Sequence, residues 1–407
     1  MTMELNELEQ PPLIGLPSLM RMSLQGVDLA PLATDLIAYA NAHPEAANVL
    51  MDLAVILQFK QNRELALQVQ AEALKLQKVY RLPFNGEQVR LRVLALVAPG
   101  DLMSNTPIEV LLEDTDVLLN LLYVAPDLPF PAELPEHDVV FVAIGESDHN
   151  RLILGFVASF IQQWPRPVLN APDKIGALSR NAASALLSGA TGLVMPSTAR
   201  VERQVLAQLA SAELRMAAVI ADGDFPVIVR PVDSHAGQGL MKLDSAGDID
   251  AYLRSRTEDE FYISRFVDYS GADGLFRKYR IVLIGGRPYV CHMALSRHWM
   301  VHYLNAEMTD KPENRAEEAR FMANFDEDFA RRHAAAFQAI YERAGLDYLG
   351  IDCGETADGA LLIFEIDSNM IVHAMDPVDM FPYKQPQMHK VFSAFHALLV
   401  NAVDRQN

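Results

Sequence analysis

Cysteine is nearly absent from the 407-residue chain. Cys291 and Cys353 are its only two, so a disulfide framework is excluded and a reducing compartment, the cytoplasm, is expected. Basic side chains are also scarce, with 34 Lys and Arg against 53 Asp and Glu and a net charge of −19. That balance argues against nucleic acid and anionic membrane surfaces, because phosphate-rich partners are held by basic faces that release counterions. No apolar run approaches the ~20 residues needed to span a bilayer. The opening MTMELNELEQ carries acids where a secretory leader carries lysines. What remains is a composition that is 50% hydrophobic, expected to form a soluble globular protein, and at ~100–200 residues per domain the length predicts two or three domains.

Residues 1–30 lack sustained periodicity and read as a mobile or loosely docked lead-in. From 31 to 88 the text is helical. Leu50, Leu53, Ala54 and Leu57, then Leu65, Ala66, Val69 and Ala73, recur at helical spacing on either side of a break at Lys60–Arg63, which predicts an antiparallel helical hairpin. Its small and large positions resemble one tetratricopeptide repeat. It serves either as a cap docked on the main body or as a platform for a protein partner.

Between 89 and 195 buried strands at Val89–Val97, Asp138–Ile144 and Pro167–Asn170 alternate with helical text, the pattern of a doubly wound parallel sheet. Ile108–Tyr123 reads as helix-like or mixed. No G-x-G-x-x-G follows the first strand, so a dinucleotide site is not expected. Residues 196–407 change to hairpins, and the fold class is therefore α/β followed by α+β. Gly285-Gly286 marks one two-residue turn and Asp358-Gly359 a second, with helices over Phe325–Ala344 and Gln387–Val403.

Two stretches carry chemistry. A two-residue turn at Asp358-Gly359 sets Asp352 opposite Glu365, and alternation puts Asp367 and Asn369 on the same face. Carboxylates facing one another on a packed hairpin call for a cation, and an all-oxygen set suits Mg²⁺ or Mn²⁺. In the other stretch, Arg230 ends an apolar strand and is followed by a loop with His235, Gly237 and Gly239. A cation beside glycine backbone N–H groups fits phosphate oxygens.

In this order of parts, residues 89–400 resemble the ATP-grasp superfamily of ADP-forming carboxylate–amine ligases, which includes D-alanine–D-alanine ligase, glutathione synthetase and the ribosomal-protein glutamate ligases. The resemblance rests on Arg230-Pro231 before the loop, Ile263-Ser-Arg-Phe-Val267, Lys278-Tyr-Arg280 before the Gly-Gly hairpin, and Asp352 with Glu365-Ile-Asp367. Val168-Leu-Asn170 followed by Arg180 matches an earlier part. It implies ATP held by Arg180, Arg230, His235, Gly237, Gly239, Ile263, Arg265, Phe266 and Val267. It also implies two magnesium ions at Asp352, Glu365 and Asp367, and Arg280 as the catalytic residue that steadies an acyl phosphate. Arginine replaces lysine at 180 and 230, Arg265 stands in place of an acid, Asp367 in place of Asn, and Lys278 where an acid is common.

Arg297, His298, His302, Tyr303 and Asn305 lie between the two hairpins, where the resemblance places substrate contacts. The implied partners are a small carboxylate and an amine, with a homodimer common in the family. The other readings are an ATP-binding scaffold or sensor with little turnover, using the N-terminal helices for a partner, and a grasp-fold small-molecule kinase.

Overall fold

A computed structural model describes residues 10–84, 86–234, 237–303 and 306–405. His235 and Asn305 from the expected site, and Asn85, lie outside them. The chain divides into two units, one of residues 1–175, 368–377 and 392–407 and the other of residues 176–367 and 378–391.

In the first unit residues 10–30 are more ordered than their text suggests. Helix α1 spans Leu16–Leu24 and buries Pro17 and Leu19. Asp52, on the helix Ala47–Phe59, accepts hydrogen bonds from the backbone N–H groups of Ile14 (2.7 Å) and Gly15 (3.0 Å). The chain needs this acceptor because the first N–H groups of a helix have no partner of their own, and Gly15 enters α1 at φ 84°. Burial, opposed by these two bonds, pushes the Asp52 carboxyl up to about 6. A raised carboxyl contributes fully below its unfolded value near 4, and that contribution is lost as pH rises through about 6. Asp52→Ala should therefore lower stability by ~1–3 kcal/mol and remove that step from a pH series of melting temperatures.

Helices α2 (Ala30–Ala42), α3 (Ala47–Phe59) and α4 (Arg63–Leu76) follow, with α3 and α4 hinged at Lys60–Asn62 as the periodicity predicts. Leu53, Ala54, Ala66 and Ala73 are buried, whereas Leu65, expected inward, is exposed. The inward place on α4 goes instead to Gln70. Its side-chain amide pairs twice with the Gly100 backbone, at 3.0 and 2.8 Å.

Strands β1 (Val79–Arg81), β2 (Leu91–Val97), β3 (Val117–Tyr123), β4 (Val139–Val142) and β5 (Val168–Leu169) form one sheet in the order β1-β3-β2-β4-β5. All but β1 are parallel, and β2 and β4 are almost wholly buried, hence their unbroken apolar text. The mixed text of 108–123 resolves into a short helix, Ile108–Leu111, and the strand β3.

The second unit holds two sheets. Strands β6 (Leu193–Val194), β7 (Thr198–Glu202), β8 (Val227–Pro231), β9 (Met241–Leu243), β10 (Glu260–Arg265), β11 (Phe276–Ile284), β12 (Arg287–Ser296), β13 (Tyr348–Glu355) and β14 (Leu361–Asp367) are shared between them. The orders are β7-β10-β8-β9 and β12-β11-β13-β14-β6. Gly285 and Gly286, at φ 57° and 82°, close the β11–β12 hairpin as a two-residue turn with Ile284 opposite Arg287. One face of the larger sheet meets helices Pro312–Asn324 and Phe329–Arg332 through an aromatic cluster in which Tyr279 touches Phe321 and Phe329, with ring centroids 4.6 and 4.7 Å apart. The text at 325–344 suggests one helix. The structure begins it earlier, at Pro312, and interrupts it at Phe325–Asp328 and His333.

Candidate functional site

Strand pairing builds a polar row across the larger sheet. His292 on β12 faces Arg280 on β11, Arg280 faces Asp352 on β13, and Asp352 faces Glu365 on β14. Partners in an antiparallel pair project from the same face, so these four side chains stand in line. Lys278, two residues along β11, shares that face. Tyr279, between Lys278 and Arg280, points to the helix-covered side.

Each end of the row is shaped by a bulge. The β11–β12 register shifts between Arg280 and Ile281, leaving Cys291 as the extra residue, and the β13–β14 register shifts between Asp352 and Cys353, leaving Phe364 extra. Bulges next to polar sites re-aim side chains. A straight two-residue hairpin would place Cys291, not His292, opposite Arg280. The Asp352–Glu365 pairing is as expected, by a different route. The loop between β13 and β14 has three residues, closed by Thr356 and Ala360 with Gly359 at φ 83°, and the one-residue change it introduces is cancelled by the bulge at Phe364.

Charges in the row are paired closely. Asp352, 3% exposed, accepts from Arg280 through both oxygens at 2.8 and 2.9 Å, and Lys278 Nζ lies 2.6 Å from its Oδ2. Burial alone would raise this carboxyl, but Arg280 and then Lys278 outweigh it and hold it far below the carboxylate range. Glu365 is ion-paired with Arg180, the first residue of helix Arg180–Leu187. Arg230, near the end of β8 in the smaller sheet, lies within the electrostatic field of Arg180 and Glu365, and burial followed by the Arg180 charge pulls its guanidinium down to about 10. It stays cationic at neutral pH. Its Nε bonds Ser234 Oγ at 3.1 Å and its Nη2 the Ser234 carbonyl, and among the described residues no carboxylate pairs with it.

The glycine loop is built for close approach. A Cβ at Gly239 would lie 2.7 Å from the Pro231 ring, and Gly237 and Gly239 hold φ of 75° and 67°. His302 and Tyr303 join the row: the His302 imidazole is depressed by burial, then by Lys278 and Arg280, and the Tyr303 ring lies 4.7 Å from that of His292. His292 itself is pushed well below the usual histidine range by burial, then by Arg280 and Lys384. It is neutral at pH 7, and its Nδ1 is buried without a partner among the described residues.

A buried polar group continues from Tyr303. Glu318 accepts from the Met293 N–H at 3.0 Å, Tyr383 at 2.7 Å and Tyr303 at 3.3 Å, and Lys384 lies 3.7 Å away. Sequence reasoning missed His292, Glu318, Tyr383 and Lys384. An acid at Glu318 inside otherwise exposed helical text is weak as a signal.

Several expected positions lie apart from the row. Ile263, expected against the adenine, is packed in the apolar core with Val229, Phe261 and Leu206, because β10 is an inner strand of its sheet. Arg265 pairs with Asp222 at 3.5 Å. Phe266 stacks edge-on with Trp299 and carries Lys242 Nζ 4.7 Å from its ring centre. Val267 is half-buried, Arg297 and His298 are exposed, and among the described residues neither of the latter two side chains contacts the row.

The carboxylates do not fit a two-magnesium centre. Magnesium asks for oxygens at ~2.0–2.1 Å in octahedral array, and both Asp352 oxygens are already taken by Arg280 and Lys278. Among the described residues no group of three His, Cys, Asp or Glu is placed to share an ion. The repulsion that called for a metal is relieved by the protein's own cations.

No known family profile matches the chain, and no curated protein matches it. Solved structures do. It is similar to D-alanine–D-alanine ligase from Bacillus anthracis complexed with ATP (12% identity, 78% of this chain, 100% of the other, TM-score 0.46). It is also similar to a RimK domain ATP-grasp protein from Sphaerobacter thermophilus (15%, 76%, 99%, 0.42) and to VanG D-Ala:D-Ser ligase from Enterococcus faecalis (13%, 77%, 99%, 0.46). Each likeness is one of chain trace over about three quarters of this chain, and the chemistry rests on the site's own residues.

Proposed function

We propose that this chain is an ATP-dependent ligase of ATP-grasp type that joins a carboxylate to an amine through an acyl phosphate, releasing ADP and phosphate. The observation that supports this most is Arg230. A half-buried cation without a carboxylate partner among the described residues is costly. It stands at the mouth of a glycine loop and feels the charge of a second arginine, and an oligophosphate would supply the missing charge.

In this reading Arg230 and Arg180 hold phosphate oxygens, the Arg180–Glu365 pair opening to admit them, and Gly237 and Gly239 bring backbone N–H groups close. A substrate carboxylate oxygen attacks the γ-phosphorus as the bond to the β-bridging oxygen breaks and ADP departs. An amine then attacks the acyl carbon, the C–O bond to phosphate breaks, and the amine gives up its proton to the departing phosphate. Arg280, anchored on Asp352, faces the charge that develops at each step. Neutral His292 and the Tyr303 hydroxyl line the substrate side.

A nucleotide-binding protein with little turnover is the second reading, favoured by the same closed ion pairs. The two separate on ADP release from ATP over pooled small carboxylates and amines, with Arg180→Gln, which removes a phosphate-holding cation, in parallel. Ligase activity predicts ADP that depends on both an acid and an amine and falls by about 10²-fold or more in the variant, the loss seen when one preorganised charged contact is removed. A rise in melting temperature with ATP and no ADP on any pool would favour the binding protein.

A further inference from the structure

We propose that Lys278 is a resident counter-cation that stands in place of a divalent ion at Asp352, so that the nucleotide triphosphate binds without a metal at that carboxylate. This inference rests on the ATP-binding part of the function proposed above.

The geometry points to it directly. Lys278 Nζ sits 2.6 Å from Asp352 Oδ2, inside the space an ion bound to that oxygen would need, while Arg280 covers the other side of the carboxylate at 2.8 and 2.9 Å. Asp352 is 3% exposed and Lys278 and Arg280 about one-fifth, so the three are held as a unit by the sheet. A divalent ion would have to displace an ammonium of like charge from a largely dry site, where such repulsion is weakly screened.

The charges are already balanced for an anion. Lys278, Arg280, Arg180 and Arg230 stand against Asp352 and Glu365, with Asp367 next on the same face of β14. The cations exceed the carboxylates before any metal enters. Lysine is suited to this place because its ammonium is a compact point charge, whereas the guanidinium beside it fixes the carboxylate plane.

Calorimetric binding of adenylyl imidodiphosphate to the full chain, in magnesium and in excess chelator, tests this. The wild type should bind in both, its dissociation constant changing by less than about threefold. Lys278→Asp, which restores an oxygen ligand, should bind only with magnesium or manganese, an effect of about tenfold or more. Lys278→Met, which keeps the stem and leaves Asp352 bonded to Arg280, provides the same test if the aspartate variant does not fold. Its affinity in chelator should fall while magnesium recovers it. Wild-type binding that is lost in chelator overturns the resident cation and leaves nucleotide binding standing. No binding in either condition overturns the nucleotide reading itself, and this inference with it.

Discussion

Replacing Arg280 with methionine is expected to lower stability by about 3–5 kcal/mol and to abolish turnover. The stability loss arises because Asp352 is 3% exposed, and removing one partner of a buried ion pair leaves a charge that water cannot reach. Lys278, still 2.6 Å from Oδ2, keeps the loss towards the lower end. The pH dependence has a definite sign. Asp352 titrates far below its unfolded value in the folded chain, so its contribution is present above pH ~4 and is lost as the solution becomes more acid. Wild type and Arg280→Met should therefore differ most near neutrality and converge on acidification. Arg280→Met combined with Asp352→Leu should recover much of the stability, since apolar replacement of a whole buried pair is often neutral, but no activity. Denaturant unfolding of the three proteins across pH checks both parts.

Arg230→Ala should behave in the opposite way. The guanidinium is pulled down to about 10 by burial and by Arg180, which means that folding disfavours its charged form. Removing it should leave the melting temperature of the free protein unchanged or higher. Nucleotide affinity should fall by about 10²-fold, the equivalent of losing one or two charge-assisted hydrogen bonds of ~1.5–3 kcal/mol each. Stability retained while affinity collapses is the signature of a ligand-binding cation. If Arg230→Ala instead destabilised the free protein and left binding intact, Arg230 would be a structural residue holding Ser234.

The two predictions separate two arginines to which the resemblance gives different roles, Arg230 on the nucleotide phosphates and Arg280 on the acyl phosphate. Arg230 and Arg280 both read as cations at strand ends or beside hairpins, and only the strand registers show that one is paired with a buried aspartate and the other is not. Much of the frame was legible because it depends on local rules. Buried parallel strands have continuous apolar text, Gly-Gly closes a hairpin, and the helical spacing either side of Lys60 gives α3 and α4. The Asp352–Glu365 pairing follows from the turn even though two local features invisible in the text, the three-residue loop and the bulge at Phe364, intervene, because they cancel.

What was not legible depends on long-range packing. A bulge at Cys291 decides that His292 rather than Cys291 joins the row, and alternation by twos cannot see a single inserted residue. Ile263 looked like a nucleotide contact because its motif was right, but a residue on an inner strand can be core on either face. The acids of the 352–367 hairpin point to metal when their partners are out of view in the sequence. Lys278 and Arg280, some seventy residues earlier in the chain, lie on the neighbouring strand and neutralise Asp352. Gln70 and Asp52 were overlooked for a related reason: each is a polar side chain buried in order to satisfy backbone groups distant in sequence.

Transfer of the γ-phosphoryl group to a carboxylate is tested most directly by an isotope measurement. Once a carboxylate that supports ADP release is identified, it is supplied with its oxygens heavy-labelled, together with ATP and the amine. One labelled oxygen per turnover should appear in inorganic phosphate, because the acyl phosphate breaks at its C–O bond. Phosphate that forms at the same rate without label would contradict an acyl-phosphate ligase.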